Sequence, residues 1–252
     1  MSHNKYLHHD KESCVKVLLI CDDYWHPGKT AIEGIEPLKQ NGFEFDIITN
    51  ANDFSVDMLK AESSSSALNI FKYQAVLMCK SDETAQADKR PWKTDEVQKA
   101  FIDYVESGGG FVAVHSALVQ GKNTEAMDKL IGCRFLGHPN NCPVTVQSVK
   151  PHPVTEGVGL FCETDEHYRI EIISPDTDIL LASYSPPQGE ESKYQEEPYY
   201  NAPAAIYPAG YVRTQGKGRV CVLTPGHLTA VWLNAQFQKL LSNALKWCAA
   251  NN

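Results

Sequence analysis

Three of the nine histidines stand immediately after short apolar runs. "GGGFVAVHSA" (108–117) stops its apolar run at His115 and Ser116, and "GRVCVLTPGH" (218–227) stops at His227. "CVKVLLICDD" (14–23) ends on Asp22 and Asp23, with His26 three residues further on. Packing needs no ring that can carry charge at the end of a buried strand. Imidazole can move a proton or bind a metal near neutral pH, so the chemistry these positions suggest is acid–base or metal-assisted. Each histidine alone also fits a satisfied core, loop or cap residue; three in the same kind of place point to a site.

Carboxylates come from two other stretches. The run ending at Cys79 is followed by Lys80, Ser81 and Asp82. "TDEHYRIE" (164–171) opens a strand whose alternation puts Glu166 and Tyr168 on one side and Asp165 and His167 on the other. "CRFLGHP" (133–139) leaves His138 in a loop after a short helix, and His152 between Pro151 and Pro153 reads as a turn lock. Several mechanisms lack their signatures. There is no G-x-x-x-x-G-K-[ST] loop and no G-x-G-x-x-G after the first strand, so no nucleotide cofactor is expected. Ser116 lacks the flanking glycines of a nucleophile elbow, and H-E-x-x-H does not occur.

The elements that must carry these residues alternate through the first half. Strand-like runs at 14–23, 43–49, 71–79 and 110–116 are separated by helical patterns at 28–42 and from about 94, the first containing Pro37. Runs apolar on both faces need cover on both sides, which gives a doubly wound, mostly parallel α/β sheet with helices on both faces. In such sheets ligands bind beyond the carboxyl ends of the strands, where the three histidines are placed. Further on, 142–149, 167–173 and 176–184 read as strands without intervening helices, an antiparallel extension, and a helix closes the chain from about Asn234.

The 252 residues carry a net charge of -8 with no basic patch, which argues against nucleic acid as partner. No stretch is long and apolar enough for a membrane span. Eight scattered cysteines without a C-x-x-C pair suit a reducing, cytoplasmic setting. Residues 1–13 read as a disordered tail, 14–252 as one domain, "ESSSS" (62–66) as a linker and 185–203 as an exposed loop.

Read in order, "GGGFVAVHSA", "IGCRFLGHP", "HPVTEGV", "DEHY", "GKGRVCVLTPGH" and "FQKLLSNALKWCA" resemble the trehalose-utilisation (ThuA-like) family, from about Val15 to Trp247. The resemblance implies a flavodoxin-like fold similar to class I glutamine amidotransferases. In those enzymes a nucleophilic cysteine occupies a tight turn after a glycine-preceded strand, the place that here holds His115 and Ser116. It also implies carbohydrate metabolism, of disaccharides or their oxidised derivatives. The 185–203 loop and Pro225 depart from the family pattern.

The leading expectation is an enzyme acting on a sugar or keto-sugar without amidotransferase activity. Its catalytic residues would be His115, Glu166 and His227; His26, His115 and His227 would bind a divalent metal, zinc foremost. Asp22, Asp82, Ser116, His138 and Tyr168 would contact the substrate, and a homo-oligomer is compatible. The competing expectation is a non-catalytic regulatory or interaction domain that retains the fold.

Overall fold

The computed structural model describes residues 14–53, 69–186 and 205–250. The tail 1–13, the serine-rich 62–66 and almost all of the 185–203 loop lie outside the described residues. In chain order the elements are β1 (Val15–Cys21), α1 (Gly28–Lys39), β2 (Phe43–Ile48), β3 (Ala75–Cys79), β4 (Glu83–Ala85) and β5 (Asp88–Pro91). Next come α2 (Asp95–Glu106), β6 (Gly110–Val114), α3 (Glu125–Ile131), β7 (Cys133–Gly137), β8 (Cys142–Ser148) and β9 (Phe161–Asp165). The chain continues through β10 (Arg169–Ile172), β11 (Asp178–Ser185), β12 (Ala205–Gln215), β13 (Gly218–Leu223), α4 (Thr229–Leu233) and α5 (Ala235–Ala249).

Among the described residues the main sheet has nine strands in the order β2-β1-β3-β6-β13-β12-β11-β8-β9. The first five are parallel, in the flavodoxin-like arrangement, and β12, β11, β8 and β9 extend the sheet antiparallel. Alternate residues of one strand feed two cores. Val17, Leu19 and Cys21 of β1 pack with α1, α4 and α5 residues such as Ile35, Trp232 and Leu241. Leu18 and Ile20 pack with α2 and α3 residues such as Phe101 and Leu130. The sheet is thus covered on both faces, which is why its central strands are apolar throughout.

Two differences from the sequence reading have local causes. The polar stretch 80–92, between the run ending at Cys79 and the helix from about 94 and given no element there, contains the hairpin β4–β5, too short and charged to show a strand pattern. β12, at 11 residues, is longer than any strand expected in that half, and its interior Pro208 and Gly210 hide it. Its pairing with β11 is bulged near Leu181, which accommodates the missing proline donor. No helix among the described residues is long and apolar enough to cross a membrane.

Helix ends are fixed by side chains. Thr94 accepts from the Val97 N–H and starts α2, and Asn234 accepts from the Gln236 and Phe237 N–H groups to start α5. The Asn234 amide also donates to Glu163 of β9 at 2.8 Å, fastening the far edge of the sheet to the closing helix. Replacing an N-cap costs about 1 kcal/mol. Asn234→Ala, which loses both contacts, should lower unfolding free energy by about 1–2 kcal/mol in urea denaturation; an unchanged midpoint would show that the cap is dispensable.

Candidate active site

The carboxyl ends of β1, β6 and β13 and the turn between β9 and β10 converge on one cluster: His26, His115, Glu166 and His227, whose ligand atoms all lie within 4.8 Å of one another. It lies where β1, flanked by β2 on one side and β3 on the other, leaves the sheet. That is the crevice in which ligands of this topology bind.

His26 is delivered by the loop after β1, and Asp23 shapes that loop. The Asp23 side chain is fully buried. Its Oδ1 accepts the N–H groups of Trp25 and His26 and the Nδ1–H of His26, all at 2.8–2.9 Å, while Oδ2 accepts the Ser81 N–H from the segment after β3. Burial opposes ionisation of Asp23, but the His26 ring and these N–H groups outweigh it and hold the carboxyl well below its ordinary range. Burial lowers the His26 pKa despite Asp23. With Nδ1–H committed to Asp23, the lone pair of neutral His26 is on Nε2.

His115 begins the 3₁₀ turn His115–Leu118 with φ +48°, left-handed for a residue with a Cβ. Its Nδ1 faces the Thr224 carbonyl at 2.8 Å; a carbonyl only accepts, so Nδ1 carries the proton and Nε2 points to Glu166 Oε2 at 3.2 Å. The ring stacks on Tyr168 with centroids 3.9 Å apart. Gly226, at φ +146°, allows this crowding, because a Cβ there would lie 2.9 Å from Val114 Cγ1 and 3.1 Å from His115 Cβ.

His227 follows that glycine. The Gly226 and His227 N–H groups donate to the two oxygens of Asp165, 1% exposed, at 2.8 and 2.9 Å. His227 Nδ1 lies 3.3 Å from Glu166 Oε2 but is not aligned to bond with it, and is a buried nitrogen without a hydrogen-bond partner. Burial opposes the charged form of His227, and Glu166 more than offsets this, raising its pKa. For Glu166, burial likewise opposes ionisation, but contacts with His115, His227 and His138 hold the carboxyl well below its ordinary range.

His138, in the loop after β7, reaches the same carboxylate: Nε2 is 3.4 Å from Glu166 Oε2, and Nδ1–H donates to the Pro139 carbonyl. Its ring stacks over Tyr168, which therefore lies between His115 and His138. Ser116 lines, with Cys21, Cys79 and the three clustered histidines, a cavity of about 10 Å³, about enough for one water-sized sphere. Asp22 also lines it, but its Oδ1 accepts the Gly28 N–H at 2.7 Å and starts α1, whose N-cap Pro27 offers no side-chain acceptor. Asp82 is turned away, accepting the Lys93 N–H at 3.0 Å. His152 accepts from the Val154 N–H and locks its turn as read. A wider open groove between β8 and β9 passes His152 and Lys150 but gathers no comparable set.

Sequence reasoning named Asp23, Asp165 and His167 but gave them no role in the site. Asp23, adjacent to the Asp22 singled out, orients His26. His167, facing away from Glu166 and Tyr168, is bracketed by Ser185 Oγ at 2.7 Å and Ser183 Oγ at 2.9 Å. A buried histidine answered by two serines of β11 pins the turn that presents Glu166. The serines, alternating along β11, were the available signal.

The chain matches the ThuA family, described as trehalose utilisation, over residues 16–248. It belongs to that family. Membership gives it, in general terms, a trehalose-utilisation-related role. ThuA-like proteins of Bacteroides uniformis and Parabacteroides merdae are similar in structure, with TM-scores of 0.66 at 20% and 19% identity. The alignments cover 97% and 93% of this chain and 95% and 90% of theirs. A glutamine amidotransferase from Thermotoga maritima shares the fold at TM-score 0.54 and 10% identity, over 94% of this chain and 98% of that one. No curated protein matches the sequence.

Because Asp165 anchors both N–H groups that position His227, Asp165→Asn sets an amide NH₂ against one of them. We expect a loss of about 1–3 kcal/mol in stability and weaker retention of any ion at the cluster. Denaturation curves and metal content measured on the same sample check this, and a variant unchanged in both would remove Asp165 from the site.

Proposed function

We propose that the chain is a metal-dependent enzyme acting on a sugar or keto-sugar, with His26, His115 and His227 as ligands of a divalent ion and Glu166 beside the open position. The observation that carries this is the gathering of three imidazoles and Glu166 with ligand atoms within 4.8 Å of one another, together with a buried nitrogen of His227 without a hydrogen-bond partner. Two of the rings are turned by partners that are not ligands: Asp23 for His26 and the Thr224 carbonyl for His115. Such outer partners fix tautomer and ring direction in metal sites. Three histidines with one vacant position suit zinc used for catalysis.

A bound ion would polarise a carbonyl or hydroxyl oxygen of the sugar. The chain's own groups do the rest. Glu166 would be the carboxylate that takes or returns a proton there, and His138, only half-buried, lies 3.4 Å from it. Ser116 and Tyr168 form walls. The family's description supports a carbohydrate substrate, and eight free cysteines support a cytosolic setting. An amidotransferase reaction does not fit, because the residue in the strained turn after β6 is a histidine.

Elemental analysis of protein purified without a histidine tag tests the reading. The wild type should carry close to one equivalent of zinc, manganese or nickel, and His115→Ala should lose nearly all of it while remaining folded. Glu166→Gln should keep the ion and lose turnover. Wild type that neither carries nor takes up any of these ions would overturn the proposal and favour a non-catalytic domain.

A further inference from the structure

The antiparallel half of the main sheet carries a face that the fold leaves to solvent. Strand pairing lines up Ile206 of β12, Tyr184 of β11, Thr145 of β8 and Cys162 of β9 in one row, so their side chains share one side of the sheet. A second row runs Pro208, Ala182 and Gln147, and the exposed Pro143 and Thr164 pair in a third. Ile206 is 73% exposed, Tyr184 44%, and Leu160, just before β9, 63%. The residues between them on β8 and β9, Val144, Val146 and Phe161, turn the other way and are buried with Phe237 and Leu241 of α5.

A sheet face in water normally alternates polar and charged side chains against the buried ones. Here, among the described residues, none of the three rows holds a charge. The charged residues of these four strands are placed elsewhere. Glu163 and Asp165 alternate onto the inner side, where they accept from Asn234 and from the Gly226 and His227 N–H groups. Arg213 is buried and donates to the Lys129 and Leu130 carbonyls, and Asp178, at the start of β11, pairs with Lys150. The opposite edge of the sheet is the contrast: β2 exposes Glu44 and Asp46, with the Lys16 ammonium of β1 3.6 Å from Glu44.

Charge and area together choose the occupant. The chain carries a net charge of -8, so two copies repel through most of their surface and meet at least cost where no ion has to be desolvated. A face without charge has nothing with which to steer an oppositely charged partner protein, and without Lys or Arg it has no attraction to an anionic membrane. A second copy needs neither, because a two-fold axis sets the same residues on both sides of the contact. At these exposures the face offers roughly 600 Å² per copy, or about 1,200 Å² for a pair, which reaches the lower bound of a stable, specific interface. We infer that this face is the contact through which two copies of the chain form a symmetric dimer, with Ile206, Tyr184 and Leu160 as its apolar anchors.

Sedimentation velocity of the full chain, from about 1 to 100 µM, tests it. Wild type should be dimeric at the upper end of that range. Ile206→Glu and Thr145→Glu each set a charge into the face of both copies and should weaken the dimer about tenfold or more, with the thermal midpoint of the dilute protein unchanged. Ile47→Glu, on the exposed side of β2, should leave the dimer as it is. Added salt should leave the association unchanged or tighten it, because the contact holds no ion pair and only the net charge opposes it. Wild type that stays monomeric up to about 100 µM overturns the interface. A dimer that both Ile206→Glu and Thr145→Glu leave intact, or that Ile47→Glu or salt disrupts, lies on another face and overturns it as well.

Discussion

A carboxylate removed from water costs several kcal/mol unless hydrogen bonds replace its hydration. Asp23 meets that demand with four donors drawn from two strand ends. The His26 ring and the N–H groups of Trp25 and His26 come from the loop after β1, and the Ser81 N–H from the segment after β3. Releasing any of them would leave a buried charge short of a partner. The loop is therefore tied to the crevice floor, and the direction of the His26 ring follows from the same bonds. Electrostatics here does the work of shape.

Asp165 anchors the opposite wall, although there burial outweighs the hydrogen bonds and raises the carboxyl's pKa. Its two oxygens take the N–H groups of Gly226 and His227, and the turn it lies in exposes Glu166 and Tyr168 toward the cluster while His167 is buried between Ser183 and Ser185. Between the two anchored walls stand three imidazoles and one carboxylate. Burial and the neighbouring rings favour neutral His26, and the histidines favour ionised Glu166. Asp23 and the Thr224 carbonyl hold the protons of His26 and His115 on Nδ1, so each ring turns its Nε2 away from those partners.

Much of this was legible because strand ends are. His26, His115 and His227 were visible from the apolar runs that precede them, and the doubly wound order makes those ends neighbours. Glu166 and Tyr168 fell on one side for a different reason from the one assumed: they lie in the turn between β9 and β10 rather than in a strand, and the Tyr168 N–H closes that turn on the Glu166 carbonyl at 3.0 Å. What stayed hidden depends on contacts that no local pattern encodes. Choosing Asp23 over Asp22 needs the Ser81 N–H, 58 residues away. The Thr224 carbonyl that sets the His115 tautomer is a backbone atom, and backbone atoms carry no sequence signal. β12 escaped because Pro208 and Gly210 break its pattern, and its pairing is sustained by β11 and β13 on either side.

The conformation of His115 bears on why a histidine stands there. A left-handed backbone costs a residue with a Cβ about 1–2 kcal/mol, and it persists only where the surroundings over-determine it. Here they do so threefold: the Thr224 carbonyl binds Nδ1, Tyr168 stacks on the ring, and glycine at 226 leaves room for the Cβ. A glycine at 115 would relieve the strain but give up both ring contacts, so packing alone offers a cheaper solution than the one present. What the strained turn achieves is to lift Nε2 off the end of β6 into the centre of the cluster, where a residue in ordinary strand geometry would continue along the sheet. The same turn can present a nucleophile or a ligand. Here it presents an imidazole, with two further imidazoles and Glu166 close by.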